Sequence, residues 1–185
     1  MSVRRSSRNT PKFSFKTADA QDMTFFEDNY FDFVLFSWCG IDYVDHEGRQ
    51  KILGEIRRII KKGGYFYFQS HNLNYLIRKC SICLSKNPSK LAWDISRLLR
   101  LRLLNGRKVW KIIRTPLRKQ QHLLYNDNTY GFKLKTYFIT PVEQIEQLSN
   151  FGFACIRVLS LWTGGQIKDS ANTKDAWLYF LSKAI

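Results

Sequence analysis

Phe31-Asp-Phe-Val-Leu-Phe-Ser-Trp38 is nearly continuous apolar sequence rich in β-forming side chains. That is how a strand covered on both faces of a parallel sheet reads. From His46 onward, Ile52, Leu53, Ile56, Ile59 and Ile60 recur at the spacing of one helix face. Lys61 and Lys62 then place cations in the last turn, and Gly63 and Gly64 stop the helix. Residues 65–69, Tyr-Phe-Tyr-Phe-Gln, form the next strand. Strand, helix and strand within about 40 residues make a βαβ crossover, so the fold class is α/β with a mostly parallel sheet.

Toward the N-terminus, residues 13–17 alternate Phe-Ser-Phe-Lys-Thr and predict a short strand, followed by a polar loop over 19–29. Residues 1–12 hold Arg4, Arg5, Arg8 and Lys12 without an acid or an apolar run, which reads as a disordered basic tail. The domain proper is 13–185. Toward the C-terminus, residues 73–124 read as a helical, lid-like insert with no strand signal. Residues 133–139 look like a strand or an extended lead-in. Thr140, Pro141 and Glu143 then form a helix-start signature. The helix runs to Ser149, and apolar strands follow over 154–161 and 176–181.

The net charge of +15 is concentrated: residues 78–119 carry thirteen basic side chains against Asp94 alone. No run approaches the roughly 20 apolar residues that cross a bilayer. Cys80 and Cys83 form one C-x-x-C with no second pair and no nearby His, so no metal site is expected. Together with Cys39 and Cys155 they read as reduced thiols, pointing to a cytoplasmic protein.

The ordered set Thr17-Ala-Asp-Ala-Gln-Asp-Met23, Phe31-Asp-Phe-Val, and Glu55-Ile-Arg-Arg-Ile-Ile-Lys-Lys-Gly-Gly64 resembles the class I S-adenosylmethionine-dependent methyltransferases of the type 11-like group. Tyr137-Phe-Ile-Thr-Pro141 and the segment to Phe153 look like that family's last helix and its β-hairpin. The resemblance implies a Rossmann-like sheet ending in an antiparallel hairpin, S-adenosylmethionine as cofactor, and methyl transfer as the activity. It implies that Asp19 accepts from the adenine amino group, that the Ala20 backbone meets a ring nitrogen, and that Ser37, Trp38 and Cys39 lie near the sulfonium. Ligands in open α/β sheets sit beyond the carboxyl ends of strands. By that rule His71 is a candidate general base, and Tyr43, Asn72 and Tyr137 are candidate substrate contacts, with Asp42 beside them.

The same resemblance exposes a shortfall. The family's first two strands carry a glycine-rich loop and a ribose-binding acid, yet no G-x-G occurs in this sequence. The expectation is an N-terminally truncated domain lacking those strands, weak or inactive as a lone chain. It would need a complementing N-terminal chain, or would self-associate through the bare edge of residues 31–37. Arg97, Arg100, Arg102, Arg107, Lys108 and Lys111 suit an anionic substrate such as a phosphorylated sugar, lipid or nucleic acid. The alternative is a non-enzymatic basic module for an anionic membrane or nucleic acid.

Overall fold

The computed structural model describes residues 14–79, 87–106, 121–127 and 133–185. One six-stranded sheet organises them, with β2 (Ile60–Asn72) as its axis. Strand β1 (Phe31–Phe36) runs parallel to β2, pairing Phe33 with Tyr65 and Phe36 with Phe68. Farther along the same flank, β4 (Thr136–Ile139) also pairs parallel, at His71 and Asn72. The other flank of β2 carries β6 (Trp177–Ala184) antiparallel, and β5 (Phe153–Ser160) lies antiparallel beyond it. Strand β3 (His122–Tyr125) closes the opposite end by pairing antiparallel with β4.

Helices α1 (His46–Ile59) and α4 (Pro141–Asn150) cover one face of this sheet. Ile52, Leu53 and Ile56 of α1, with Leu148 of α4, pack on Phe66, Phe68, Phe153 and Phe180. Each such side chain, fully buried, contributes about 1.5–3 kcal/mol. Both helices start at side-chain caps. The Asp45 carboxylate accepts from Gly48 N at 2.8 Å, and Thr140 Oγ1 accepts from Glu143 N at 3.3 Å. A smaller cluster joins α2 (Leu73–Lys79), α3 (Pro88–Asn105), β3 and β4 through Leu73, Leu76, Leu101, Tyr125 and Phe138.

Four expectations from sequence need correction. Residues 14–17 form no strand, and Phe15 is 95% exposed, because alternation makes a strand only where an edge is within reach to pair with. Phe13 lies outside the described residues. The first three residues of β3 fall inside the segment read as wholly helical; the strand is held extended by the β4 ladder, which overrides local preference. Helix α1 stops at Ile59, not at the glycines. Residues 61–64 form a bulge opposite Asp32, with Gly63 at φ +80° and Gly64 where a Cβ would meet Ile60 Cγ1 at 2.9 Å and the Asp32 carbonyl at 3.0 Å. Finally, β1 is covered on one face only among the described residues: Val34 and Phe36 meet the core, while Phe33 and Leu35 are more than half exposed. Cys80 and Cys83 lie outside the described residues.

Candidate active site

Strand β1 ends in a sharp corner. Trp38 and Cys39 both adopt left-handed backbone, at φ 57° and 51°, and a 3-10 turn, Gly40–Asp42, follows. Gly40 is required there, since a Cβ would stand 2.7 Å from the Phe36 ring. The corner drops Asp42 into the interior beside the end of β2, where its carboxylate is fully buried. One oxygen accepts from Arg49 at 2.5 Å and from Ser70 Oγ at 2.8 Å. The other accepts from the backbone N–H of His71 and from His71 Nδ1, both at 2.7 Å. Four donors, one of them a guanidinium, converge on the carboxylate.

Arg49 is the hub behind this group. It is completely buried on α1 and donates to the Ile41 carbonyl, Asp42, Ser70, Gln144 and Gln147, with the Tyr137 ring 4.8 Å beneath it. Its position on the Ile52–Ile56 stripe of α1 is the sequence signal that marks it as an inward-facing charge.

His71 presents its ring to a cleft of about 560 Å³, within the range that takes a small-molecule ligand. Trp38, Tyr43, Tyr75, Phe138, Trp177 and Tyr179 give it aromatic walls, and Cys39, Gln69 and Asp127 add polar groups. The sheet register explains the grouping. Gln69 stands opposite Tyr179 and His71 opposite Trp177, so alternate residues of two adjacent strands face the same side. The Asp42 oxygen that faces Nδ1 also accepts from the His71 backbone N–H, and as the acceptor toward the ring it assigns the proton to Nδ1, which leaves Nε2 with the lone pair facing the cleft.

Of the residues expected from sequence, Trp38, Tyr43 and His71 line the cleft and Asp42 joins them behind His71. Others do not. Asn72 is buried and spends its amide on the Thr173 and Asp175 carbonyls. Tyr137 is buried beneath Arg49, and its hydroxyl meets His46 Nδ1 at 2.7 Å, outside the cleft. Burial pushes the Tyr137 phenol up to about 12, against the opposing effects of Gln147 and Arg49, so it stays protonated. Ser37 is exposed and does not line the cleft. Asp19 closes a turn by accepting from Gln21 N, and Ala20 lines a separate, shallower hollow with Lys16, Met23 and Phe26. Cys39, expected with Ser37 and Trp38 at the end of β1, also lines the cleft, whereas Gln69, Tyr75, Asp127, Phe138, Trp177 and Tyr179 were not expected from sequence; strand register brings Gln69, Phe138, Trp177 and Tyr179 there.

Donor atoms of Cys39, Asp42 and His71 lie within 4.8 Å of one another, the geometry of a possible metal site. Its chemistry does not fit. Both Asp42 oxygens are occupied, Arg49 adds a positive charge, and the Cys39 thiol is pushed upward by burial and then by Asp42. No lysine or arginine lines the cleft among the described residues.

A parallel β1–α1–β2 unit, an antiparallel β6–β5 pair on the far flank, and a cleft beyond the carboxyl ends of β1 and β2 decide the fold. The fold is that of the class I methyltransferases. A methyltransferase-domain family model matches residues 1–68. No curated protein sequence matches the chain. Among solved structures, a SAM-dependent methyltransferase from Methanosarcina mazei is 19% identical with a TM-score of 0.56, over 100% of this chain and 73% of that one. A Listeria monocytogenes protein described as an S-adenosylmethionine-dependent methyltransferase gives 13% and 0.60, over 97% and 72%. The S-adenosylmethionine-dependent methyltransferase from Mesorhizobium loti gives 12% and 0.56, over 94% and 71%. The chain spans 48% and 61% of the length of two further solved methyltransferases. The methyltransferase fold places Glu55 and Arg58 in its scaffold: Arg58 bonds Glu55, Asp28 and the Met23 and Phe26 carbonyls, fastening residues 23–28 to α1.

Proposed function

We propose that this chain carries the acceptor-binding half of an S-adenosylmethionine-dependent methyltransferase, with His71 as general base. The observation that carries the reading is the Asp42–His71 pair, set in an aromatic cleft beyond the carboxyl ends of two parallel strands. When bound, the cofactor supplies an electrophilic methyl group on a sulfonium. The residues present fit that end of it. Trp38, at the corner after β1, offers an aromatic wall suited to a sulfonium cation. His71 Nε2 takes the proton of an acceptor O–H or N–H as the nucleophile is alkylated, and Asp42 holds the imidazolium that results. Tyr43, Phe138 and Trp177 ring the imidazole edge-on at 6.3, 5.3 and 5.8 Å.

The aromatic lining favours a flat, uncharged acceptor over an anionic one. Cofactor retention is a separate matter. The sequence contains no G-x-G, and among the described residues no strand lies outside β1. The adenosine half of the site is accordingly contributed by a further segment, in the same polypeptide or in another chain, laid along that edge. The test is S-adenosylhomocysteine release from S-adenosylmethionine with planar phenol and ring-nitrogen acceptors. It is to be run with the chain alone and with such a segment fused, for wild type and His71→Ala. Product formed equally by both would remove His71 from the reaction.

A further inference from the structure

The strongly basic helix α3 does not serve the cleft: Arg97, Arg100 and Arg102 are not among its lining residues, and Lys108 and Lys111 lie outside the described residues. Its packing supplies the reason to look elsewhere. One face of α3 is anchored, with Leu101 4% exposed, Asp94 8% exposed and tied to Arg97 at 3.1 Å, and Asn105 bonded to residue 126. The opposite face is apolar and uncovered among the described residues. Ile95, Leu99 and Leu103 follow one another at four-residue spacing with 45%, 58% and 86% exposure. Arg102 borders this stripe on one side. Arg100 and the exposed Trp93 border it on the other, and Lys90 sits in the first turn.

We propose that α3 docks on an anionic lipid surface, lying flat with Ile95, Leu99 and Leu103 among the acyl chains and the flanking cations at headgroup level. An apolar stripe bracketed by basic residues, with a tryptophan at the boundary, is complementary to a negatively charged bilayer on both counts. Nucleic acid would use the cations and leave the stripe in water. The acid on α3 is turned inward, so nothing on the outer face opposes an anionic surface. No helix among the described residues is long and apolar enough to cross a membrane, so the association is peripheral.

The experiment is co-sedimentation of the 185-residue chain with phosphatidylcholine vesicles, with and without roughly a third phosphatidylglycerol. The expected result is binding to the anionic vesicles that is at least tenfold weaker for phosphatidylcholine alone, and at least tenfold weaker for Leu99→Glu/Leu103→Glu. Both substituted positions are exposed, and an unchanged melting curve establishes that the variant is folded. Arg100→Glu provides an independent second variant with the same direction. Three results would overturn the proposal: no binding to either vesicle, equal binding by wild type and the leucine variant, or single-stranded RNA binding that Arg100→Glu abolishes and the leucine variant leaves intact.

Discussion

The Asp42 carboxylate stands 2.7 Å from His71 Nδ1 while its other oxygen faces the guanidinium of Arg49. One acid therefore orients an imidazole at the cleft and neutralises a buried cation behind it. These duties separate experimentally. His71→Gln should lower methyl transfer by about 10²–10⁴-fold, the range for losing a general base, with little change in acceptor KM. Single-turnover rates across pH would check this, and a rate unchanged by the substitution would return His71 to a packing role.

Arg49→Met should destabilise the fold by about 3–5 kcal/mol. It strips the compensating charge from a fully buried carboxylate and leaves Gln144 and Gln147 without their shared donor. Urea unfolding measures it. A loss below about 1 kcal/mol would mean that water reaches Asp42.

His122 makes stability depend on pH. Burial first, then His46 and Arg49, hold its imidazole below the usual 6.5. The unfolded chain takes up this proton below about 6.5 while the folded chain does not, so stability is full above that pH and is lost as pH falls toward the folded value. The His46 ring stacked at 4.3 Å and the Tyr137 ring at 5.3 Å are its immediate neighbours. Melting temperatures should decline between pH 7 and 5.5 for wild type, and less steeply for His122→Asn. Parallel curves would assign the decline to other groups.

The outer edge of β1 bears on both affinity and solubility. The chain alone should hold S-adenosylmethionine at least a hundred-fold more weakly than with a complementing segment, roughly 3 kcal/mol. Low-micromolar binding by calorimetry would contradict this.

An edge left unpaired among the described residues, beside the exposed Phe33 and Leu35, should also drive self-association. Light scattering at micromolar concentration should fall when Leu35→Lys is introduced on the exposed face. A wild-type monomer at that concentration would show that the edge is already protected.

The βαβ unit was legible in the sequence because its signals are local: the run at residues 31–36 and the three isoleucines of α1, just as the start signature at Thr140 marked α4. His71, Trp38 and Tyr43 could be found because they end or follow strands. Asp42 was visible only as a neighbour. Its importance comes from Arg49, Ser70 and His71 converging on it from α1 and β2, and no spacing in the chain encodes that convergence. Asn72 and Tyr137 occupy expected places, but their side chains turn inward to satisfy buried carbonyls and a histidine, a choice made by tertiary packing. Strand β3 owes its extension to β4, which lies well beyond it in sequence.

The corner at Trp38 and Cys39 has a mechanical consequence. Two adjacent residues with side chains are held in left-handed backbone, a conformation each would leave if free, at a cost on the order of 1–3 kcal/mol apiece. What keeps the corner wound is the anchorage of Asp42 three residues on, gripped by four donors in the interior. The mouth of the cleft and the proton-handling pair thus form one tensioned spring. Release Asp42, and the backbone would unwind toward ordinary angles, swinging the Trp38 indole away from the opening. Damage to the acid would then be visible from outside as a change in the environment of a tryptophan that it never touches.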